Sequence, residues 1–212
     1  MRCSRALSRC RVDLLAMPEH LRALVVIVVL ASVVFAISRA PACAIAMTGK
    51  DFARRRNLWF GLTLIAFLAH NFWLYIALAG AVLLIVQRQD QNKMALYLSV
   101  LMAVPTIPKE VPGLGLVNYL FEIDYVRLLA LTVLLPAYLV LRKQGDVARF
   151  GSTLADKFLA GYLALQIVQM FEYAPFTTIL RKGVFYGFVD VFLPYYVASR
   201  YLKTLAQFRE AL

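Results

Sequence analysis

The sequence predicts an all-α protein, a polytopic transmembrane helical bundle of about six or seven spans. Three observations lead there. Apolar residues make up 62% of the chain and charged residues only 17%, whereas a soluble domain needs about a quarter charged. Mean hydropathy is +0.71. The apolar residues also fall in successive runs, and the lysines and arginines occupy the short stretches between them. With 212 residues and about 20 residues plus a turn for each span, spans fill the chain and leave no room for a separate folded domain. The net charge of +11 does not gather on one soluble face. It reads as topology signals and not as a nucleic-acid surface.

Residues 1–16 form a basic N-terminal arm with Arg2, Arg5, Arg9 and Arg11, and residues 17–212 form the transmembrane domain. The run 23–38 is the predicted first span. A signal peptide cleaved near Ala40-Pro41-Ala42 is the weaker alternative, because the run is dense in Val, Ile and Leu and further spans follow. Translation from Met17 would remove four of the five basic residues in the segment 1–22, leaving Arg22.

Residues 57–86 are apolar apart from His70-Asn71. As one helix they would measure about 45 Å against a hydrocarbon core of about 30 Å, so two short spans meeting at His70-Asn71 are expected. Trp59, Phe72, Trp73 and Tyr75 are then interfacial aromatics. After a basic turn at 87–93, residues 94–104 make a tilted span or a half-span. The connection that follows holds Pro105, Pro108, Pro112, Gly113 and Gly115, which cannot continue a helix. It also holds Lys109, Glu110, Glu122, Asp124 and Arg127, charges that belong at a membrane surface. Span 126–141 follows, with a kink expected at Pro136. Arg142, Lys143 and Arg149 make another basic turn, and span 154–171 keeps Asp156 and Lys157 in the headgroups. A polar interval at 172–182 then leads to the last run, 184–198. Cytoplasmic turns at 39–56, 87–93, 142–157 and 199–212 would hold 14 of the 23 basic residues. Only Lys109, Arg127, Arg181 and Lys182 would face the other side, apart from those in 1–22.

No catalytic set is complete. Cys3, Cys10 and Cys43 are scattered and read as structural, and His20 and His70 share no metal-ligand spacing. Gly113-Leu114-Gly115 lacks the strand and third glycine of a dinucleotide fingerprint. No fixed-period repeat is apparent, and no cofactor or metal is expected. The candidate binding residues are Arg181, Lys182 and Arg127. Adjacent cations on the exported face would stabilise a diphosphate, with Glu172 placed to orient them or simply solvated. Arg127 is either a snorkelling anchor, paired with Asp124 three residues earlier, or a phosphate contact. Tyr195, Tyr196, Ser199 and Arg200 read as an interfacial belt and a cytoplasmic stop.

Three stretches together resemble bacterial O-antigen ligase and polysaccharide polymerase proteins. They are the run 51–59 (Asp-Phe-Ala-Arg-Arg-Arg-Asn-Leu-Trp), the run 67–73 around His70-Asn71, and the proline-rich connection into 121–129 (Phe-Glu-Ile-Asp-Tyr-Val-Arg-Leu-Leu). The segment 193–200 is similar as well. The resemblance implies a bacterial inner-membrane enzyme that moves a glycan from an undecaprenyl-diphosphate carrier to an acceptor at the periplasmic face. Its partners would be membrane lipid and the lipid-linked glycan. It also implies an N-terminal half: the family's large periplasmic loop, with the arginine and histidine residues needed for transfer, falls outside this sequence. The fragment alone is expected to be inactive. The alternative is a noncatalytic membrane subunit or a small transporter. Transporters pair broken helices at matching positions of two halves. Here 57–86 is broken at His70-Asn71 and 94–141 by the proline-rich connection, but the halves show no sequence symmetry.

Overall fold

The computed structural model describes residues 19–104, 106, 108–112, 119–145 and 147–211. The basic arm, Met17, Cys3, Cys10, Pro105 and Gly113-Leu114-Gly115 lie outside the described residues. The protein is mostly helical, with eight helices and one two-stranded hairpin among those residues. It divides into two compact units, Met1–Tyr75 and Ile76–Leu212.

In the first unit, α1 (Glu19–Ile45) runs on past the predicted end of its span and carries Arg39 and Pro41. Its 27 residues measure about 40 Å. Val29, Leu30, Val34 and Ile37 are more than half exposed along it, an outward apolar surface suited to lipid rather than water. Helix α2 (Gly49–Leu68) starts earlier than the sequence suggested, because Thr48 caps it by accepting the Asp51 N–H at 3.3 Å. The basic run 50–56 is therefore helical rather than a turn, and Asp51 pairs with Arg54 one turn later. Phe35 of α1 meets Phe52, Trp59 and Phe60 of α2 edge-on at 5.5–6.1 Å. The predicted break at His70-Asn71 is present: α3 (Phe72–Gln89) begins there, and the Asn71 side chain accepts the Trp73 N–H at 2.9 Å. His70 is exposed at the break.

In the second unit, α4 (Lys93–Leu101) has nine residues and measures about 14 Å, about half the thickness of a hydrocarbon core. The proline-rich connection forms an antiparallel hairpin, β1 (Lys109–Pro112) with β2 (Tyr119–Ile123), in which Lys109 faces Ile123 and Glu110 faces Glu122. Helix α5 (Tyr125–Lys143) follows without a gap. Then come α6 (Leu154–Met170), α7 over 176–201, and α8 (Leu205–Ala211). Arg181 and Lys182 lie inside α7, which corrects the polar interval expected at 172–182. The core is built from Leu96 and Val100 of α4, Leu129, Val133 and Leu134 of α5, and Val189, Leu193 and Val197 of α7, all fully buried. At Gly183 α6 comes so close that an added Cβ would lie 3.1 Å from the Ile167 side chain.

Helices α5 and α7 change winding at matching places. Ala130–Leu134 of α5 and Ile179–Phe192 of α7 are π-helical, and each π stretch ends two residues before a proline, Pro136 or Pro194. A proline ring strikes the carbonyl four residues back and donates no hydrogen bond to it. Winding with i→i+5 bonds shifts that carbonyl and lets the helix continue. The kink expected at Pro136 is thus resolved as a change of winding, aided by Thr132 Oγ1, which donates to Leu128 O at 2.7 Å. The prolines belong to a motif that occurs twice, Leu-Pro-x-Tyr-x3-Arg, at 135–142 and 193–200. The two copies pack on each other through their tyrosines, with Tyr138 and Tyr196 centroids 4.9 Å apart and the rings at 75°.

Three helices are long and apolar enough to cross a membrane: Glu19–Ile45, Phe72–Gln89 and Tyr125–Lys143. Among the others, α6 has 17 residues and exposes Phe158, Tyr162, Leu165 and Val168 along one side.

Candidate functional site

Polar side chains in the second unit gather at two places. The first lies where the hairpin, the start of α5 and the π segment of α7 meet. Asp124 is the N-cap of α5 and accepts the Arg127 N–H at 2.8 Å, which fixes the first turn. From that turn the Arg127 guanidinium reaches Asp190, with Nε and Nη2 each donating to Oδ2 at 3.1 Å. Nη1 donates to the Glu122 carbonyl at 2.9 Å. The guanidinium also stacks 3.7 Å above the Tyr186 ring, whose hydroxyl accepts the Glu122 N–H at 2.7 Å. The Glu122 and Asp124 carboxylates lie 3.9 and 4.0 Å from Nη1. One cation therefore faces three carboxylates, and the surroundings of Arg127 oppose an incoming anion.

Arg181 reaches the same neighbourhood through the winding of α7. Bonds closed i→i+5 require between about four and five residues per turn. Arg181 and Asp190, nine positions apart, then stand on one face about two turns apart. At about 3.6 residues per turn they would sit on opposite faces. Arg181 is half-buried and near enough to the Tyr186 hydroxyl to act on it electrostatically, while Lys182 is exposed. The structure thus places Arg127 and Arg181 around Tyr186 and leaves Lys182 outward. Glu172 is exposed in the turn before α7. Sequence reasoning missed Asp190. The available signal was a lone carboxylate inside an apolar run, which should have a partner.

The Tyr186 hydroxyl is the acceptor that ties the hairpin to α7. Tyr186→Phe keeps the ring beneath Arg127 and leaves the Glu122 N–H without that acceptor, at an expected cost of about 1–2 kcal/mol. A lower melting temperature together with faster amide exchange at Glu122 would report it.

The second cluster lies where the loop before α6 meets the end of α7. Thr153 and Asp156 make a reciprocal capping box at the start of α6. Asp156, fully buried, receives Arg200 Nη1 on Oδ1 at 2.9 Å and Nη2 on Oδ2 at 2.6 Å. Tyr195 Oη donates to Oδ1 at 2.8 Å, and the Gly151 N–H donates to Oδ2 at 3.1 Å. The guanidinium lies 4.7 Å from the Tyr196 ring centre. Arg200 and Asp156 are therefore not the solvated stop and headgroup charge that the sequence suggested. They form a buried two-point ion pair joining α6 to α7.

The turns of the second unit meet at this same end. Arg200 Nε points at Ala148 O at 3.5 Å, Tyr201 Oη donates to Gln91 O, and Asn92 Nδ2 donates to Gln207 O at 3.1 Å. No group of three or more His, Cys, Asp or Glu residues that could hold a metal ion occurs among the described residues.

Three helices long and apolar enough to cross a membrane, with outward apolar faces, define a helical membrane protein. No family model, no curated protein and no solved structure matches the chain.

Proposed function

We propose that the chain is the N-terminal portion of a glycan ligase or polymerase in the bacterial inner membrane, acting on undecaprenyl-diphosphate-linked saccharide at the periplasmic face. The proposal starts from the resemblance at 51–59, 67–73 and 121–129. The observation that carries it is the placement of Arg181 and Lys182. They lie at the hairpin end of α7, away from the end where turns 87–93, 142–157 and 199–212 meet. Basic turns gathered at one end support a cytoplasmic assignment for that end, and Arg181 and Lys182 then face outward. Helices α1, α2, α3, α5, α6 and α7 cross the membrane, and α4 with the chain that follows it makes the seventh crossing.

In this reading Arg181 and Lys182 hold the carrier diphosphate and stabilise its charge as it leaves the anomeric carbon in an inverting displacement. Arg127 stands one step back. Its donors hold Asp190 and the Glu122 carbonyl, so it keeps α5 and α7 in register beside the grip. The attacking group is a hydroxyl of the acceptor sugar, and the carrier diphosphate is the group that leaves. Undecaprenyl diphosphate should bind the full chain in nanodiscs, and Arg181→Ala with Lys182→Ala should weaken binding by about tenfold to a hundredfold. Equal binding by the folded double variant would remove the site.

The matched changes of winding in α5 and α7 favour a second reading. Transporters place interrupted helices at equivalent positions of two repeats, and α5 and α7 share both the motif and the π stretch. Solute-dependent flux through proteoliposomes holding the chain, without undecaprenyl-diphosphate binding, would select the transporter.

A further inference from the structure

The two copies of Leu-Pro-x-Tyr-x3-Arg are alike in sequence and unlike in what their arginines meet. In the second copy Arg200 is buried, grips the Asp156 carboxylate at two points and lies beside the Tyr196 ring. In the first copy Arg142 stands at the corresponding position, four residues after Tyr138. It is exposed and makes no ion pair or side-chain hydrogen bond among the described residues. Instead it lines a cavity of about 530 Å³ with Arg149, Tyr138, Phe150, Phe192 and Tyr196, a volume within the usual range for ligand sites. Arg149 is likewise exposed and without an ion-pair partner among the described residues. The aromatic wall is rigid: Phe192 lies 5.0 Å from Phe150 and 5.6 Å from Tyr196, and Tyr138 meets both Phe192 and Tyr196.

We infer that this cavity is a binding site for a phosphate-bearing anion, and that its occupant in the membrane is the headgroup of an anionic phospholipid. The second copy shows what this arrangement of arginine and tyrosine holds, a two-oxygen anion on a planar guanidinium beside an aromatic ring. The first copy presents the same chemistry to open space, with a second arginine beside it. Arginine matches phosphate oxygens as it matches carboxylate oxygens, through paired N–H donors. The lipid is favoured by position. Arg142 lies in the last turn of α5, one of the helices apolar enough to cross the membrane, where headgroups lie. The aromatic rings can take the glycerol and first methylenes while the arginines take the phosphate.

The test is lipid retention by the full chain in detergent, read by native mass spectrometry with phosphatidylglycerol as the probe. Phosphatidylethanolamine and inorganic phosphate form the other two arms. Arg142→Gln with Arg149→Gln should weaken phosphatidylglycerol binding about tenfold or more. Both residues are exposed, so melting should stay close to wild type. Arg142→Lys with Arg149→Lys should recover part of the binding through charge alone. Competition by inorganic phosphate at the strength of phosphatidylglycerol would support the phosphate site and remove the lipid as its source. Phosphatidylglycerol retained by the folded glutamine variant as by wild type would overturn the proposal, and so would wild-type retention of phosphatidylethanolamine equal to that of phosphatidylglycerol.

Discussion

Asp156→Ala is expected to destabilise the folded chain by about 3–5 kcal/mol, the largest single loss among the variants considered. Removing the carboxylate leaves the Arg200 guanidinium buried without its counter-charge. It also deprives Tyr195 Oη and the Gly151 N–H of their acceptor. Arg200→Ala should cost a similar amount for the converse reason. Replacing both partners, as Asp156→Leu with Arg200→Met, should recover much of the loss, because a buried ion pair is costly to break but not intrinsically more stable than well-packed apolar side chains. Thermal unfolding in one detergent, with both single variants and the double, measures the coupling. Single variants that melt with the wild type would show that the pair is not closed in the folded protein.

That prediction depends on a contact that no reading of local sequence could have given. Asp156 and Arg200 are 44 residues apart, and each alone looked like an interfacial charge. Local punctuation was legible where chain chemistry is local. The break at His70-Asn71 was visible because two polar residues interrupt an apolar run too long for one span, and the helix-free connection was visible because its prolines and glycines exclude one. The hairpin inside that connection was not, since Lys109–Pro112 and Tyr119–Ile123 show little alternation and face each other with two glutamates, Glu110 and Glu122. The winding of α7 was hidden for a different reason. Apolar periodicity is read against about 3.6 residues per turn, and on that ruler Arg181 and Asp190 belong to opposite faces. Pro136 and Pro194, each two residues after a π stretch, were the available sign. The membrane character was legible in composition, and Val29, Leu30, Val34 and Ile37 exposed along one helix agree with it.

Arg127→Ala is expected to cost about 2–3 kcal/mol, less than the buried pair because Asp190 keeps a third of its side-chain surface exposed. The loss has two parts. Glu122, Asp124 and Asp190 are left facing one another with no cation between them, and α5 loses its link to α7. Two further variants separate a clamp from a phosphate contact. Arg127→Lys keeps the charge but cannot reach Asp190 and the Glu122 carbonyl at once while stacking on Tyr186, so a clamp predicts that lysine restores little of the stability. A phosphate contact predicts that lysine restores most of the binding. Asp190→Asn, alone and with Arg127→Ala, completes a double-mutant cycle in which a clamp gives a coupling of about 1–3 kcal/mol. Undecaprenyl-diphosphate affinity, measured on the folded fraction of each variant, should then follow Arg181 and Lys182 and change less than about twofold with Arg127→Lys. An affinity that falls tenfold while the melting temperature stays at the wild-type value would return Arg127 to the grip. The Asp190 contact would then have to open whenever the carrier binds.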